Sequence, residues 1–309
     1  MEEEGRVYDL IIVGAGVAGL TASMYASRYR LEHLIFGVEP GGQMNEIHSI
    51  ENWPGKIAIS GRELIANLVE QVNHFGVEIK NDSINAVQKN ADGIFEIETS
   101  KAKYLAKTVI MAMGTSYKKM NIPGEKEFIG KGVSYCATCD AMFFRNKVIS
   151  VIGGGNSAAV AAITLADYAE KVYLLYRGER LSAEPIWLEK IAANPKIEVI
   201  TSTNVIEIKG EAKVEKIILD KAHEDKTYLA VDGVFIEIGS EPGIELIRKL
   251  VVETDEKNFI KVGADQSTNV PGVFAAGDIT TGSNKFRQLI TASAEGALAA
   301  NGAYKKVKL

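Results

Sequence analysis

Cysteine is nearly absent. The 309 residues include only two, Cys136 and Cys139, and only four histidines. A small scaffold stapled by several disulfides is thereby excluded. A zinc site would need histidines to complete it, and His33, His48, His74 and His223 stand without ligand spacing, so no metal is expected. Blocks of like charge are missing as well. Thirty-five basic against 40 acidic residues leave a net charge of −5, which offers neither nucleic acid nor an anionic membrane an electrostatic partner. Long hydrophobic runs are also lacking: the one sizeable apolar stretch, residues 10–20, is interrupted by glycines and too short to span a bilayer. It follows the acidic opening Met1-Glu2-Glu3-Glu4, where a signal peptide would be positively charged, so a cytoplasmic location is expected.

What is present suits a folded chain of two domains. Hydrophobic residues make up 46% and charged residues 24%, near the averages for globular proteins. The same supersecondary signature occurs twice. Asp9-Leu10-Ile11-Ile12-Val13 reads as a fully buried parallel strand, followed at once by Gly14-Ala15-Gly16-Val17-Ala18-Gly19 and an alanine-rich helical run to residue 27. About 140 residues on, Val148-Ile149-Ser150-Val151-Ile152 leads into Gly153-Gly154-Gly155-Asn156-Ser157-Ala158, a second helix to about residue 169 and a strand over 172–176. In each motif the first glycine permits the tight turn and the second lets the backbone approach a pyrophosphate. The third position, Gly19 or Ala158, keeps helix and strand close. The helix N-terminus then meets the anion with free N–H groups and the positive end of its dipole. Two such motifs predict two dinucleotide sites. A third segment, Val273-Phe274-Ala275-Ala276-Gly277-Asp278, predicts a short strand ending in an aspartate placed to accept from a ribityl or ribose hydroxyl, then a helix over about 287–304. The Cys-x-x-Cys reads as a redox pair, since that spacing closes a small disulfide and lowers a thiol pKa.

These motifs, with Gly41-Gly42-Gln43-Met44, Glu51-Asn52-Trp53-Pro54-Gly55, Cys136-Ala137-Thr138-Cys139-Asp140 and Arg287-Gln288, make the chain similar over its whole length to the low-molecular-weight thioredoxin reductases, flavoproteins of the pyridine nucleotide-disulfide oxidoreductase family. The resemblance implies an α/β fold of two Rossmann-like dinucleotide-binding domains. The FAD domain is split over residues 1–116 and 244–309, and an NAD(P) domain, 117–243, is inserted and carries the disulfide. It implies FAD held by Gly14, Gly16, Gly19, Gly42, Gln43, Asn52, Asp278, Arg287 and Gln288, with the Gln288 backbone N–H turned to the flavin N1 and O2 edge. Trp53 reads equally as a flavin contact or a core aromatic. NAD(P) falls to Gly153, Gly155, Asn156, Ser157, Ala158, Arg177, Glu179 and Arg180. Cys136, Cys139 and the acid Asp140 form the catalytic set, with Cys139 the flavin-side sulfur; Asp140 reads alternatively as a helix N-cap. The resemblance further implies a homodimer, thioredoxin or a thioredoxin-like protein as substrate, and rotation of the inserted domain about segments 115–119 and 239–243.

The sequence departs from the family where NADPH is clamped. Members with His-Arg-Arg-x-x-x-Arg hold the 2′-phosphate with three arginines; here Tyr176-Arg177-Gly178-Glu179-Arg180-Leu181-Ser182 keeps only the first. Each lost arginine removes a charge-assisted contact of about 1.5 to 3 kcal/mol. Glu179 suits a ribose 2′-hydroxyl instead. NADPH is the expected donor, with NADH or a donor outside the nicotinamides as alternatives. Two rival functions stand beside the reductase: an oxidase of small dithiols, which needs no tight nicotinamide site, and a flavin-binding redox sensor without turnover, against which the retained cysteine pair argues.

Overall fold

The computed structural model describes residues 5–309 apart from 48 and 244. The acidic opening, His48 and the residue at which the sequence reading restarts the FAD domain lie outside that set. The chain divides into two units, one of Met1–Ser116 with Glu241–Leu309 and one of Tyr117–Ser240.

The first unit begins with β1 (Val7–Val13), whose residues from Tyr8 on are buried, and α1 (Val17–Arg28). The strand β2 (His33–Phe36) then pairs parallel to β1, with Leu10 opposite His33 and Val13 opposite Phe36. This parallel pair with its helical crossover forms because both strands, buried on both faces, are mostly apolar. A helix the sequence reading does not foresee, α2 (Gly61–His74), is capped by Ser60, whose side chain accepts from the Glu63 N–H. The strands β3 (Ile79–Lys80), β4 (Ile84–Lys89), β5 (Phe95–Thr99) and β6 (Lys103–Met111) complete most of the sheet, in the order β3-β2-β1-β6-β5-β4. Leu10 and Ile12 face a core shared with α1 and α2, whereas Ile11 and Val13 pack with Phe95 and Ile97 on the other face.

At the crossing, β7 (Thr115–Tyr117) leads to β8 (Val133–Ser134), α3 (Ala137–Asp140), β9 (Val148–Ile152), α4 (Asn156–Ala166), β10 (Lys171–Leu175), α5 (Pro185–Ala192) and β11 (Ile197–Ile200). A meander of β12 (Val205–Lys209), β13 (Lys216–His223) and β14 (Lys226–Ala230) precedes β15 (Gly233–Ile236). Five parallel strands, in the order β11-β10-β9-β15-β8, form the sheet of the second unit. Its Ile149 and Val151 meet the alanines of α4, while Ile152, Leu175 and Val234 meet the meander's Ile208, Ile217 and Leu229. The architecture is therefore α/β with two Rossmann-like units: the first holds a mixed sheet in which β5 runs antiparallel to β4 and β6, and the second a five-stranded parallel sheet between the alanines of α4 and the β12–β14 meander.

The chain returns through β16 (Ser240–Pro242), paired with β7, and the short α6 (Glu245–Arg248), after which β17 (Val273–Ala275) joins β6 in parallel. The last helix, α7 (Leu289–Lys308), starts two residues later than the sequence suggests, because Gln288 and Thr291 form a reciprocal capping box. Among the described residues no helix is long and apolar enough to cross a membrane.

Candidate active and cofactor sites

The cysteine pair is a disulfide at the start of a short helix, with the Cα atoms 5.3 Å apart. Cys136 is the N-cap of α3, and its Sγ accepts from the Cys139 N–H at 3.1 Å. Ser134 fixes the approach: its hydroxyl accepts from the Cys136 N–H at 3.0 Å. Cys139 is exposed and Cys136 half-buried. Cys136 takes the cap of α3, and Asp140 closes that helix and stands at the N-cap position of the next turn, Ala141–Phe144, without a side-chain cap bond. That turn leaves Met142 and Phe143 exposed, by 65% and 74%. Just upstream, Tyr135 donates to the buried Glu125 at 2.7 Å, and burial, with Glu125 beside it, pushes the phenol up.

The first glycine turn is built by close approach. Gly14 has φ of +112°, and a Cβ there would meet the Ala112 carbonyl oxygen at 2.2 Å; one at Gly19 would meet the Gly14 oxygen at 1.8 Å. Gly16, by contrast, has nothing within 4 Å of where its Cβ would lie, and as N-cap of α1 it makes no side-chain cap bond. That is an open cradle of backbone donors, the form a pyrophosphate fits. Gly42 opens the 3-10 turn Gly42–Glu46, and the Gln43 side chain donates to the Thr115 carbonyl at 2.8 Å. Asn52 donates to the Gln288 side chain at 3.0 Å, across 236 positions of sequence. Trp53 packs against the core beside α1 and α2. Arg287 donates to the Asp278 carbonyl oxygen at 3.1 Å and lies 3.7 Å above the Phe259 ring. Burial pushes the Asp278 carboxyl up, with Glu295 adding to the rise and Arg287 opposing it. One expected atom is already engaged: the Gln288 N–H donates to Thr291 Oγ1 at 3.1 Å, which leaves the first-turn N–H groups of Leu289 and Ile290 without intrahelical acceptors.

The second turn repeats the plan with other residues. Gly153 abuts the Glu237 carbonyl and the Ala158 methyl, while the space at Gly155 is clear to 4.0 Å, where the Ser182 hydroxyl stands. Asn156 accepts from the Glu184 N–H at 2.7 Å, and Ser182 bonds the Gly154 carbonyl through both its N–H, at 2.7 Å, and its hydroxyl, at 3.1 Å. Ser157 and Ala158 lie in the first turn of α4. The Tyr176 ring lies against Gly154 and Gly178, where added methyls would meet it at 2.4 and 2.6 Å. Arg177, Glu179 and Arg180 are exposed.

Glu295 escaped the sequence reading. It lies buried in α7, accepting from the Gly277 N–H and the Thr280 and Ser283 hydroxyls. The available signal was an acidic residue inside the run Ala292-Ser293-Ala294-Glu295-Gly296-Ala297, where a solvent-facing charge is not expected.

Residues 8–296 match the family model described as pyridine nucleotide-disulphide oxidoreductase, and the chain belongs to that family. Within it, the similar proteins are thioredoxin reductases. The one from Treponema pallidum is 42% identical over 299 residues, covering 96% of each chain. The crystal structure of Lactococcus lactis thioredoxin reductase matches with a TM-score of 0.92 at 38% identity, covering 97% of this chain and 99% of that one. The T. acidophilum thioredoxin reductase structure gives 0.90 at 35% identity, covering 97% and 98%.

Proposed function

We propose that the chain is a flavin-dependent disulfide reductase that passes electrons from NADPH through FAD and the Cys136–Cys139 disulfide to thioredoxin or a thioredoxin-like protein. The observation that carries this reading is the conjunction of a disulfide at a helix N-terminus with two glycine turns whose middle glycines face open space. The cradle at Gly16 and the N-terminus of α1 fits a pyrophosphate, and Gly42, Gln43, Asn52, Asp278, Arg287 and Gln288 would hold the rest of FAD. Gly155, with Asn156, Ser157 and Ala158, would hold the nicotinamide dinucleotide. Bound FAD supplies hydride acceptance from the nicotinamide and delivery of two electrons to the disulfide.

The protein's own groups manage sulfur and protons. Reduction of the Cys136–Cys139 bond by two electrons and two protons gives a dithiol. The thiolate of one cysteine attacks the partner's disulfide, forming a mixed disulfide, and the second cysteine displaces the partner's remaining sulfur, restoring the Cys136–Cys139 bond and releasing a reduced partner. The Cys139 N–H aimed at Cys136 Sγ favours a thiolate there, as does the helix start. Asp140, next to Cys139, is the acid that protonates a departing sulfur. Exposed Met142 and Phe143 beside the disulfide suit a protein substrate, since apolar side chains at a contact exclude water from the exchange. Segments 115–119 and 239–243 are the hinge about which the disulfide-bearing unit turns, and the active form is a homodimer in the cytoplasm.

Exposed Arg177 and Arg180 are the groups that would meet the 2′-phosphate of NADPH. A second reading, NADH, is favoured by Glu179 between them and by Tyr176 occupying the space that a side chain at position 178 would need. Anaerobic titration of the purified protein with each nucleotide, read as bleaching of the flavin band, tests both. Bleaching by NADPH at low concentration supports the first reading and bleaching only by NADH the second. A flavin reducible by dithionite but by neither nucleotide would sink the nicotinamide donor.

A further inference from the structure

Glu295 projects from α7 into the protein and is only 4% exposed, at a point where the helix rests on α1 so closely that a Cβ at the neighbouring Gly296 would meet the Ala18 carbonyl oxygen at 2.1 Å. A carboxylate so placed is unfavourable unless its oxygens are well supplied with donors. They are, and every donor comes from one loop. Oε2 accepts from the Gly277 N–H at 2.8 Å and the Thr280 hydroxyl at 3.0 Å, and Oε1 accepts from the Ser283 hydroxyl at 2.6 Å. Gly282 is part of the same fit, because a Cβ there would meet Oε1 at 2.6 Å. The far end of the loop needs holding: Ser283, Asn284 and Lys285 have φ of 47°, 57° and 64°, three successive left-handed residues without a glycine. Such backbone persists only where the surroundings fix it. Asp278 sits inside the loop, directly after the Gly277 N–H that Glu295 holds, and Arg287 secures its other side through the Asp278 and Thr280 carbonyls.

We propose that Glu295 is a positioning residue of the flavin site, clamping the 277–283 loop so that Asp278 is presented to FAD. It touches no reacting atom and acts through the loop. The proposal rests on the reading of Asp278 as a flavin ligand given above.

The test is FAD release from purified, full-length holoprotein, followed as the rise of free-flavin fluorescence after dilution. It is run beside the thermal unfolding midpoint at saturating FAD. Glu295→Gln keeps size and one acceptor oxygen but turns an amide N–H toward one of the donors. It should quicken release about tenfold, the equivalent of one lost charge-assisted bond. Ser283→Ala, at an exposed position, removes a single donor and should quicken release roughly threefold. The midpoint should stay within about 4 °C in both. A merely structural role would lower the midpoint and leave release unchanged, and that result overturns the proposal. So does wild-type release in both variants. Wild-type protein that binds no FAD at all would fail the functional reading itself, before any variant is made.

Discussion

The two glycine turns solve one packing problem with the small residue on opposite sides. In each unit the loop after the second parallel strand folds back onto the carbonyl of the residue that follows the first glycine. Gly41 N–H bonds Ala15 O at 2.8 Å in one, and Ser182 N–H bonds Gly154 O at 2.7 Å in the other. The residue directly after that strand is Gly37 in the first unit and Tyr176 in the second. A Cβ at Gly37 would meet the Ala15 methyl at 2.5 Å, and one at Gly154 would meet the Tyr176 ring at 2.4 Å. The contact is thus methyl on glycine in the first unit and glycine under tyrosine in the second. Equivalent backbones thus permit different side chains directly after the second strand, so the shared fingerprints leave that position free to differ between the two units.

The sharpest way to break the comparison is at the close-packing position. Gly19→Val places carbon on the Gly14 carbonyl and should destabilise the first unit by more than ~4 kcal/mol. The expected result is insoluble or colourless protein, checked by flavin absorbance after purification. At the open position of the second turn, Gly155→Val should leave the protein folded and yellow. It should weaken nicotinamide dinucleotide binding about a hundredfold, ~2.7 kcal/mol, measured by calorimetry. Equal loss of flavin in both variants would erase the distinction drawn between the turns.

Exchanging the paired residues probes the contact itself. Tyr176→Gly should cost about 1 to 3 kcal/mol by leaving a gap over Gly154, and adding Gly154→Ala should recover part of it, a coupling of order 1 kcal/mol in thermal unfolding. Strict additivity would count against a shared contact. The smallest expected effect belongs to the first unit alone. His33 is buried, with Nδ1 against the Leu31 carbonyl at 3.0 Å and Nε2 against Ser23 Oγ at 2.9 Å. Burial lowers its pKa from 6.5, partly opposed by the Leu31 carbonyl. The unfolded chain therefore binds the proton more readily. Stability from this group is fully present above pH 6.5 and is lost as pH falls through the lower folded value. Urea titrations at pH 7.5 and 5.5 should show this loss in the wild type and less of it in His33→Gln.

Much of the fold was legible because its organising elements are local. β1 and β9 are mostly apolar runs that end in glycine-rich turns, and both features are written within about a dozen residues each. The cysteine pair was legible for the same reason. The meander β12–β14 was not read, since half-exposed strands mix polar and apolar residues and blur the period; α2 was passed over although Ser60 stands three residues before Glu63 and apolar residues recur at 64, 65, 68, 69 and 72. At the sites, the misreadings concern hydrogen-bond partners. Gln288 N–H was expected to face the flavin and is held by Thr291; Glu295 was not considered at all.

The sequence by itself determined the apolar strands that lead into the glycine turns, where the chain would turn at glycine, and which two sulfurs could join, because these depend on steric freedom and burial along a few neighbouring residues. Only the tertiary structure decided that Asn52 meets Gln288 across 236 positions, that Tyr176 lies on Gly154, and that Glu295 gathers three donors from one loop. Those choices follow from how helices and loops pack on a finished sheet, where a buried polar group must find its partner wherever the chain brings one within reach.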